Sequence, residues 1–188
     1  MKRRTLLKSL AVAPLTMVLA QVGRAAERAG GTSSVEELQK NWKEYLAAGA
    51  DVALTTEPLK RSEAEWKQIL TSQQYDVLRR EGTERPFTSP LNDEKRPGVF
   101  VCAGCGLPLF TSAMKFDSGT GWPSFFTTIP GALDTKRDFK LIWPRTEYHC
   151  VRCGGHHGHV FDDGPPPTGQ RWCNNGVALR FVAKDDKA

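Results

Sequence analysis

Two Cys-x-x-Cys pairs constrain the fold of this chain more than any other feature of its sequence. Cys102 and Cys105 form the first pair, Cys150 and Cys153 form the second, and residues 106–149 separate them. Each pair presents two thiols from a tight turn, and two such turns brought together supply the four thiolates of a tetrahedral Zn²⁺ site. A closed site of this kind leaves no open position for substrate or water. We therefore predict one structural Zn²⁺ ion held by these four cysteines.

Two other uses of the pairs remain open on the sequence alone. Both pairs could form structural disulfides, or one could be a redox-active Cys-x-x-Cys motif. A redox motif usually opens a helix in a βαβ unit, and neither pair lies in such a pattern. The separation between the pairs exceeds that of a zinc ribbon, which suggests that a β meander fills the space between the two turns.

The fifth cysteine, Cys173, is left over, because five cysteines cannot all pair with one another. It lies in a segment with the pattern of a strand, and alternation places Arg171 and Asn175 on the same face of that strand as Cys173. A guanidinium near a thiol favours the thiolate, which is the nucleophilic form. His159 shares a face with Phe161 on a strand of its own and can donate or accept a proton. These residues predict a nucleophile with an acid beside it, although a lone cysteine is more often a small buried apolar residue.

The formal net charge of +5 comes from the N-terminus alone. Of the 26 Lys and Arg residues, five lie within residues 1–25, which contain no acid, and the other 21 are balanced by 21 Asp and Glu residues. Binding to nucleic acid needs a basic face on the folded part of a protein. Composition gives no reason to expect such a face, so we predict no nucleic-acid partner.

Residues 1–25 have the pattern of an export signal. A charged start at Lys2-Arg3-Arg4 precedes a short apolar run, Ser9–Ala20, and small residues around Ala25 offer a cleavage site. The segment Arg3–Lys8 resembles a twin-arginine signal. We predict a signal peptide read by the twin-arginine export machinery, and a mature protein exported to the bacterial periplasm. An ordinary signal or an uncleaved anchor is the alternative.

The first third of the mature chain has helical patterns. A capping box at Ser34-x-x-Glu37 opens a short helix inside an N-terminal extension, residues 26–56. Ser62 and Thr71 begin two further helical patterns, and the second of these ends near Gly82.

From Val99 onward the pattern changes to short β-like runs separated by Gly and Pro. These runs predict a mainly β fold made of antiparallel sheets. The candidate strands are Val99–Cys102, Phe125–Thr128, Phe139–Trp143, Thr146–Cys150, Gly158–Phe161, Gln170–Asn174 and Ala178–Val182.

Several sequence blocks together resemble one known family. In chain order they are Gly82-Thr83-Glu84-x-Pro86-Phe87, Cys102-x-x-Cys105, Lys115-Phe116-Asp117-Ser118-Gly119-Thr120-Gly121-Trp122-Pro123-Ser124-Phe125, His156-x-Gly158-His159-Val160-Phe161-x-Asp163-Gly164-Pro165 and Arg171-x-Cys173-x-Asn175. With them, residues from about Glu57 to Ala183 resemble the peptide-methionine (R)-S-oxide reductases of the MsrB type. The resemblance implies a catalytic domain at residues 57–183 and a polar tail at residues 184–188. It also implies antiparallel β-sheets packed as an Mss4-like (β-tent) domain, with N-terminal helices and a structural zinc site.

The resemblance further implies a function and a set of site residues. The function is thiol-dependent reduction of methionine-R-sulfoxide, free or in oxidised proteins, in which Cys173 attacks the sulfoxide sulfur and becomes a sulfenic acid. His159 gives a proton to the departing oxygen, and Arg171 helps to hold the thiolate. The implied catalytic residues are Cys173, His159, Arg171, His156 and Asn175. The implied substrate-binding residues are Trp122, Phe161 and Asp163, of which the two aromatic ones form an apolar pocket for the S-methyl group.

Three departures from the family pattern affect these expectations. Thr120 stands where many relatives carry a resolving cysteine, so we predict that an external thiol, thioredoxin-like or small, reduces the sulfenic acid. His157 replaces the common Leu, where it either tunes protonation at the site or faces solvent. Trp172 and Gly176 replace Tyr and Ser, which affects pocket contacts more than chemistry. We expect a monomer.

Two functions of other classes compete with the reductase. A zinc-stabilised β module could bind a partner without activity, because the same fold type occurs in non-enzymatic zinc proteins. A peroxide-sensing thiol protein is the second, and the missing resolving cysteine suits it less well. The intact set of Cys173, His159 and Trp122 favours the enzyme.

Overall fold

A computed structural model describes residues 34–140 and 143–185 of the chain. Its helices come first: α1 spans Val35–Lys40, α2 spans Glu63–Ile69 and α3 spans Ser72–Arg80. The side chains of Ser34, Ser62 and Thr71 each accept a hydrogen bond from the third helical residue, whose own side chain bonds back to the cap. The three predicted helix starts are therefore confirmed. Within the described residues, no helix is both long and apolar enough to cross a membrane.

In the described part of the chain, nine short strands follow and form two antiparallel sheets. The strands are β1 Gly98–Cys102, β2 Pro108–Thr111, β3 Lys115–Phe116, β4 Ser124–Phe125, β5 Leu133–Asp138, β6 Arg145–Cys150, β7 His156–Phe161, β8 Arg171–Asn174 and β9 Leu179–Ala183. The smaller sheet has the order β2-β1-β9, and the larger has the order β3-β4-β8-β7-β6-β5. The predicted mainly antiparallel β fold with N-terminal helices is confirmed.

The strand predicted at Phe139–Trp143 is wrong. The structure places the strand just before it, at β5, where Thr135, Lys136 and Arg137 pair with β6 through their backbones and leave their side chains exposed. Charged side chains suit such an edge strand, because they discourage its open edge from pairing with another chain. The apolar residues Phe139 and Trp143 instead lie in the connection between β5 and β6.

Aromatic rings fill the space between the two sheets. Phe110 of β2 stacks on Phe125 of β4 with ring centroids 4.0 Å apart, and Phe100 of β1 meets the edge of Phe125 at 5.0 Å. Tyr148 of β6 approaches Phe110 edge-on at 6.4 Å. All four side chains are fully buried. Aromatic packing of this kind stabilises the contact between the sheets beyond the burial of apolar area.

His157 lies inside this core and does not face solvent. Its side chain is fully buried, and its ring stacks on that of Tyr148 at 6.4 Å between centroids. Neither ring nitrogen has a hydrogen-bond partner, although Asn174 lies nearby. Burial without a partner lowers the pKa of His157 to about 3. The imidazole is therefore a costly substitute for an apolar side chain in the core.

Replacing His157 with Leu should stabilise the protein, and more so in acid. Because the folded pKa of about 3 lies below the ordinary value near 6.5, unfolding takes up a proton between these two pH values. Stability is therefore lost as pH falls through that window, by about 1.4 kcal/mol per pH unit. Urea unfolding should show that His157→Leu has a higher free energy of unfolding than the wild type at both pH 8 and pH 5.5, with the larger difference at pH 5.5. His157→Asn, which keeps a buried polar group, is the matched control, and an equal gain for Leu at both pH values would contradict the prediction.

Candidate active site and metal centre

The two Cys-x-x-Cys turns lie at the ends of strands from different sheets. Cys102 ends β1 and Cys150 ends β6. In each turn a backbone amide donates to the carbonyl of the first cysteine, from Gly106 to Cys102 and from Gly154 to Cys150, both at 2.8 Å. These glycines have φ values of 72° and 67°, in the left-handed region that glycine adopts most readily. The left-handed backbone just after the second cysteine of each turn therefore favours glycine.

The four thiols of the two turns converge on one point. The Sγ atoms of Cys102 and Cys153 lie 3.6 Å apart, and those of Cys105 and Cys150 lie 3.5 Å apart. All four Sγ atoms lie within 4.8 Å of one another. A disulfide bond is about 2.05 Å long, so none of these pairs is bonded. Zn–S bonds of about 2.3 Å in a tetrahedron place sulfur atoms about 3.8 Å apart, which this cluster matches.

Neighbouring segments bind the backbone of both turns. Ala53 donates its amide to the carbonyl of Gly106 at 2.9 Å, and Leu59 donates to that of Arg152 at 2.6 Å. Arg79 of α3 donates to the carbonyl of Cys153 at 2.8 Å. The segment before α2 therefore runs across the four-cysteine cluster, and Arg79 of α3 binds the second turn. A cluster of four thiols that is largely buried suits a metal with a structural role.

A second group of polar residues lies where β7 and β8 pair. In the strand register His159 lies directly opposite Cys173, and Ser124 of β4 lies opposite Cys173 on the other side. A side chain at Gly158 would overlap the backbone carbonyl of Cys173, so only glycine allows the two strands to approach this closely. The pairing places an imidazole beside the thiol, as the sequence predicted from two separate motifs.

Cys173 and His159 line a cavity of about 130 Å³. Its lining residues are Thr83, Trp122, Arg145, Gly158, His159, Phe161, Cys173, Asn174 and Asn175. Trp122 and Phe161 supply apolar walls, and the thiol and the imidazole supply the reactive groups. A small cavity with convergent polar groups and apolar walls is the usual form of a binding site for a small group.

His159 forms a dyad with a carboxylate from another strand. Its Nε2 lies 2.8 Å from Oδ2 of Asp138, at the end of β5, and Arg145 donates to the same oxygen at 2.6 Å. The backbone amide of Lys140, His159 and Arg145 together hold the pKa of Asp138 well below its ordinary value. Burial lowers the pKa of His159, and the bond to Asp138 opposes that effect. Asp138 thus fixes the ring orientation of His159.

His156 forms a parallel dyad with Glu147. Its Nδ1 lies 2.7 Å from Oε1 of this buried carboxylate, which His149 and Lys136 also approach at 3.3 Å each. The rings of His156 and His159 are 5.6 Å apart. Burial lowers the pKa of His156, and Glu147 partly offsets this. His156 therefore packs behind His159, and both rings are held by carboxylates.

The thiol of Cys173 is surrounded by groups with opposite effects on its charge. Burial raises the pKa of Cys173, whereas the charge of Arg171 and hydrogen bonds from Thr120 and Arg171 lower it. Arg171 is itself fixed by Asp163, which binds its guanidinium at 2.8 and 2.9 Å, and by the ring of Phe161 at 4.4 Å. Asp163 therefore acts on the site through Arg171 in this structure.

Glu84 connects two walls of the cavity. Its carbonyl accepts from the indole Nε1 of Trp122 at 3.2 Å, and its amide donates to Oδ1 of Asn175 at 3.0 Å. Its buried carboxylate accepts from the amides of Gly176 at 2.5 Å and Val177 at 2.9 Å. Burial raises the pKa of Glu84, and the two amides oppose this shift. Trp122 and Asn175 are thus positioned by one residue that the motifs did not single out.

Comparison with known proteins identifies the family of this chain. Residues 70–183 match the SelR domain family. The chain is 50% identical over 129 residues to a peptide methionine sulfoxide reductase MsrB of Methanosarcina barkeri, covering 68% of this chain and 91% of that protein. It is 52% identical over 131 residues to a protein of the same name from Hahella chejuensis, covering 69% of this chain and 94% of the other. The chain belongs to the MsrB family. The resemblance carried by the motifs is therefore confirmed.

The predicted site residues come together in the structure of this MsrB-family chain. Five of the predicted residues line the cavity: Cys173, His159, Asn175, Trp122 and Phe161. The other three do not line it: His156 packs against His159 and binds Glu147, and Arg171, which pairs with Asp163, contacts Cys173. No role was predicted for Asp138, Glu147, Arg145 or Glu84, although Glu84 lies within one of the blocks that resemble the family. Alternation within β6 was the one available signal, since it places Glu147 and His149 on a single face. No local pattern pointed to Asp138, because its partner is 21 residues away in sequence.

Removing one thiol of the four-cysteine cluster should release the metal. We expect Cys153→Ser to be purified with little metal, and to unfold about 10 °C or more below the wild type, because structural metal binding is coupled to folding. Elemental analysis per chain and thermal unfolding measure both effects. Cys173→Ser is the matched control and should keep one metal ion per chain. Disulfides among the four cysteines of the purified wild type would contradict the prediction.

Changing the carboxylate of Glu84 to an amide should weaken its attachment to the turn at Gly176 and Val177. In Glu84→Gln one acceptor oxygen becomes an NH₂ group facing a backbone amide, which leaves a buried donor unpaired at a cost of about 1–3 kcal/mol. Urea unfolding at pH 8 measures the loss. Glu57→Gln, at an exposed position, is the control and should lie within about 0.5 kcal/mol of the wild type. Equal stability of the two variants would contradict the role of Glu84.

Proposed function

We propose that this protein reduces methionine-R-sulfoxide in oxidised proteins, or as the free amino acid, with Cys173 as its nucleophile. Membership of the MsrB family makes it an oxidoreductase of the peptide methionine sulfoxide reductase class. The observation that carries the assignment to these residues is the cross-strand pair of Cys173 and His159 within a small cavity with aromatic walls. The two sulfoxide epimers need separate enzymes, and this family takes the R form.

The geometry favours a resting state in which both reactive groups are neutral. Burial raises the pKa of the Cys173 thiol and lowers that of the His159 imidazole. As the sulfoxide enters, the thiol gives its proton to the imidazole, and the resulting thiolate attacks the sulfoxide sulfur. Arg171, which hydrogen-bonds to the sulfur of Cys173, stabilises the negative charge that develops on that sulfur. Asp138 stabilises the imidazolium that forms.

The proton taken from the thiol ends on the substrate oxygen. His159 donates it as the S–O bond breaks, so that the oxygen leaves as part of a hydroxyl group rather than as an anion. The hydroxyl oxygen then bonds to the sulfur of Cys173 as the bond between the two sulfur atoms breaks, which leaves a sulfenic acid on Cys173 and the thioether of methionine. Two electrons pass from the cysteine sulfur to the substrate sulfur, and one oxygen atom passes the other way. Trp122 and Phe161 orient the substrate by enclosing the S-methyl group.

An external thiol then regenerates the enzyme. It attacks the sulfenic acid, water leaves, and a mixed disulfide forms on Cys173, which a second thiol reduces. Thr120 occupies the side of Cys173 on which relatives carry a resolving cysteine, and the remaining four cysteines belong to the metal cluster. A thioredoxin-like protein or a small thiol is therefore the proposed reductant.

We propose Zn²⁺ as the metal of the four-cysteine cluster, because four convergent thiolates in a tetrahedron are its preferred ligands. Cys102, Cys105, Cys150 and Cys153 would hold it. The ion would neutralise thiolates and join the two sheets. The redox and acid–base chemistry belongs to the residues of the cavity.

The boundaries and the destination of the chain are part of the proposal. The signal peptide at residues 1–25 lies outside the described residues, and its sequence is the support for twin-arginine export to the periplasm. We propose the extension at residues 26–56, the catalytic domain at residues 57–183, the tail at residues 184–188, and a monomer. Because the twin-arginine route carries folded proteins, the metal would be loaded before export.

Turnover of the two epimers of dabsyl-methionine sulfoxide with dithiothreitol tests the function. We expect reduction of the R epimer alone, no turnover by Cys173→Ser, and a loss of about 10²-fold or more in kcat for His159→Asn, because a general acid contributes that much.

The alternatives give other outcomes. Folded, metal-loaded protein without turnover would support the binding module. Sulfenic acid formation with peroxide, again without turnover, would support the thiol sensor.

A further inference from the structure

Three exposed aromatic side chains lie next to the walls of the active-site cavity. Among the described residues, the large apolar side chains that are exposed are Leu54, Ile69, Phe87, Phe139 and Trp143. The three aromatic ones, here called the rim aromatics, are 73%, 74% and 80% exposed in chain order. Single exposed apolar residues are common, but aromatic residues grouped around one cavity are typical of a binding surface.

Phe139 and Trp143 belong to the tip of the β5–β6 hairpin. The last pair of the hairpin joins Asp138 to Arg145, so the tip leaves from one site residue and returns to another. Asp138 holds His159, and Arg145 lines the cavity. In the sheet register, Thr146, which follows Arg145 in β6, pairs with Val160 of β7, which precedes Phe161. Phe139 and Trp143 therefore lie at the same end of the sheet as Phe161, beside that wall of the cavity.

Phe87 lies beside the opposite wall, which Trp122 forms. Its amide donates to the carbonyl of Gly121 at 2.7 Å, directly before Trp122 in the chain. Phe87 has φ +62°, an uncommon conformation for a bulky residue that the surrounding structure must enforce. A side chain at Gly121 would collide with the backbone of Phe87, so this glycine makes the arrangement fit. The backbone thus holds an aromatic side chain in solvent at a cost.

We propose that the rim aromatics bind the apolar residues that flank methionine sulfoxide on both sides in a polypeptide substrate. The proposal deepens the proposed function and rests on it. The cavity of about 130 Å³ is far smaller than the roughly 300–1,000 Å³ of pockets that enclose a whole ligand, so it admits one side chain. The rest of a polypeptide must then cross the rim, where Phe87 lies on one side and Phe139 and Trp143 lie on the other.

The chemistry of the rim selects the neighbours of the sulfoxide. Exposed aromatic rings gain free energy by covering apolar side chains and gain little from charged or small polar ones. The occupant is therefore a chain segment of the kind found in protein interiors, in which methionine has Leu, Val or Phe as neighbours. Segments with Ser, Gly or Asn as neighbours should enter the same cavity but lose the contacts at the rim.

Binding of two labelled peptides to the metal-loaded Cys173→Ser protein tests the proposal without turnover. Both peptides carry a central methionine sulfoxide, one between Leu and Val residues and the other between Ser and Asn residues. We expect the apolar peptide to bind more tightly. The variant Phe139→Ser/Trp143→Ser should weaken it about tenfold, as loss of aromatic anchors does, and Phe87→Asn should also weaken it, since Asn tolerates positive φ. Leu54→Ser, at an exposed apolar residue elsewhere, is the control and should bind like the parent.

Turnover of N-acetylmethionine sulfoxide, which is too short to reach the rim, separates this proposal from the proposed function. If the wild-type protein, which keeps Cys173, does not turn over this compound, the result counts against the reductase. The binding of the two peptides would still test the rim aromatics. Equal binding of the two peptides, or equal weakening of both by the rim variants, would overturn the proposal. So would a wild-type dimer in sedimentation that Phe139→Ser/Trp143→Ser dissociates, since the surface would then belong to a second copy of the chain.

Discussion

The meeting of four thiols between the two sheets is the interaction on which the rest of this structure depends. Cys102 ends a strand of the smaller sheet, and Cys150 ends a strand of the larger one. Their turns bring the sheets to a fixed distance at one end, while the rings of Phe100, Phe110 and Phe125 fill the space further along. Because binding of a structural metal is coupled to folding, a metal ion held by these thiols would stabilise the contact between the sheets at this end.

The active site then follows from pairing within the larger sheet. Antiparallel register places His159 against Cys173, and the hairpin β5–β6 brings Asp138 to His159 from two strands away. Each reactive group is half-buried and is surrounded by fixed partners rather than by water. Burial shifts the pKa of the thiol up and that of the imidazole down, so the charges needed for reaction appear only as the proton moves. Arg171 and Asp138 stabilise those charges from opposite sides of the pair.

Local patterns in the sequence predicted more of this site than of the fold around it. Alternation placed Cys173 with Arg171 correctly because both lie on one strand, and the motif residues Trp122 and Phe161 line the cavity as expected. The residues of β5 are exposed and charged and lack an apolar alternation, so the sequence does not predict this strand. The apolar residues Phe139 and Trp143, which follow it, fit a strand pattern better. The unpredicted strand and the wrongly predicted one share a cause, because backbone pairing with β6 decides which residues form the strand.

The partners that orient the site were hidden for a related reason. Asp138 and Glu147 reach the two histidines across the sheet, so their roles depend on register rather than on spacing along the chain. Glu84 was within a recognised motif, but its function as the link between Trp122 and the turn after β8 appears only in three dimensions. Likewise, the core position of His157 could not be distinguished from a surface one, because the strand β7 is buried on both faces at that point.

In the proposed mechanism, the presence of Thr120 where the family resemblance led us to expect a resolving cysteine imposes an order on the reaction. With no second free thiol among the described residues outside the metal cluster, the proposed sulfenic acid must wait for a reductant from solution. That reductant must reach Cys173 through the cavity that the methionine side chain has just occupied. Product release therefore has to precede reduction, and the enzyme alternates between an oxidised and a reduced form. Contacts outside the cavity must then be weak enough to let the repaired chain leave, which suits a few exposed aromatic side chains better than a deep groove.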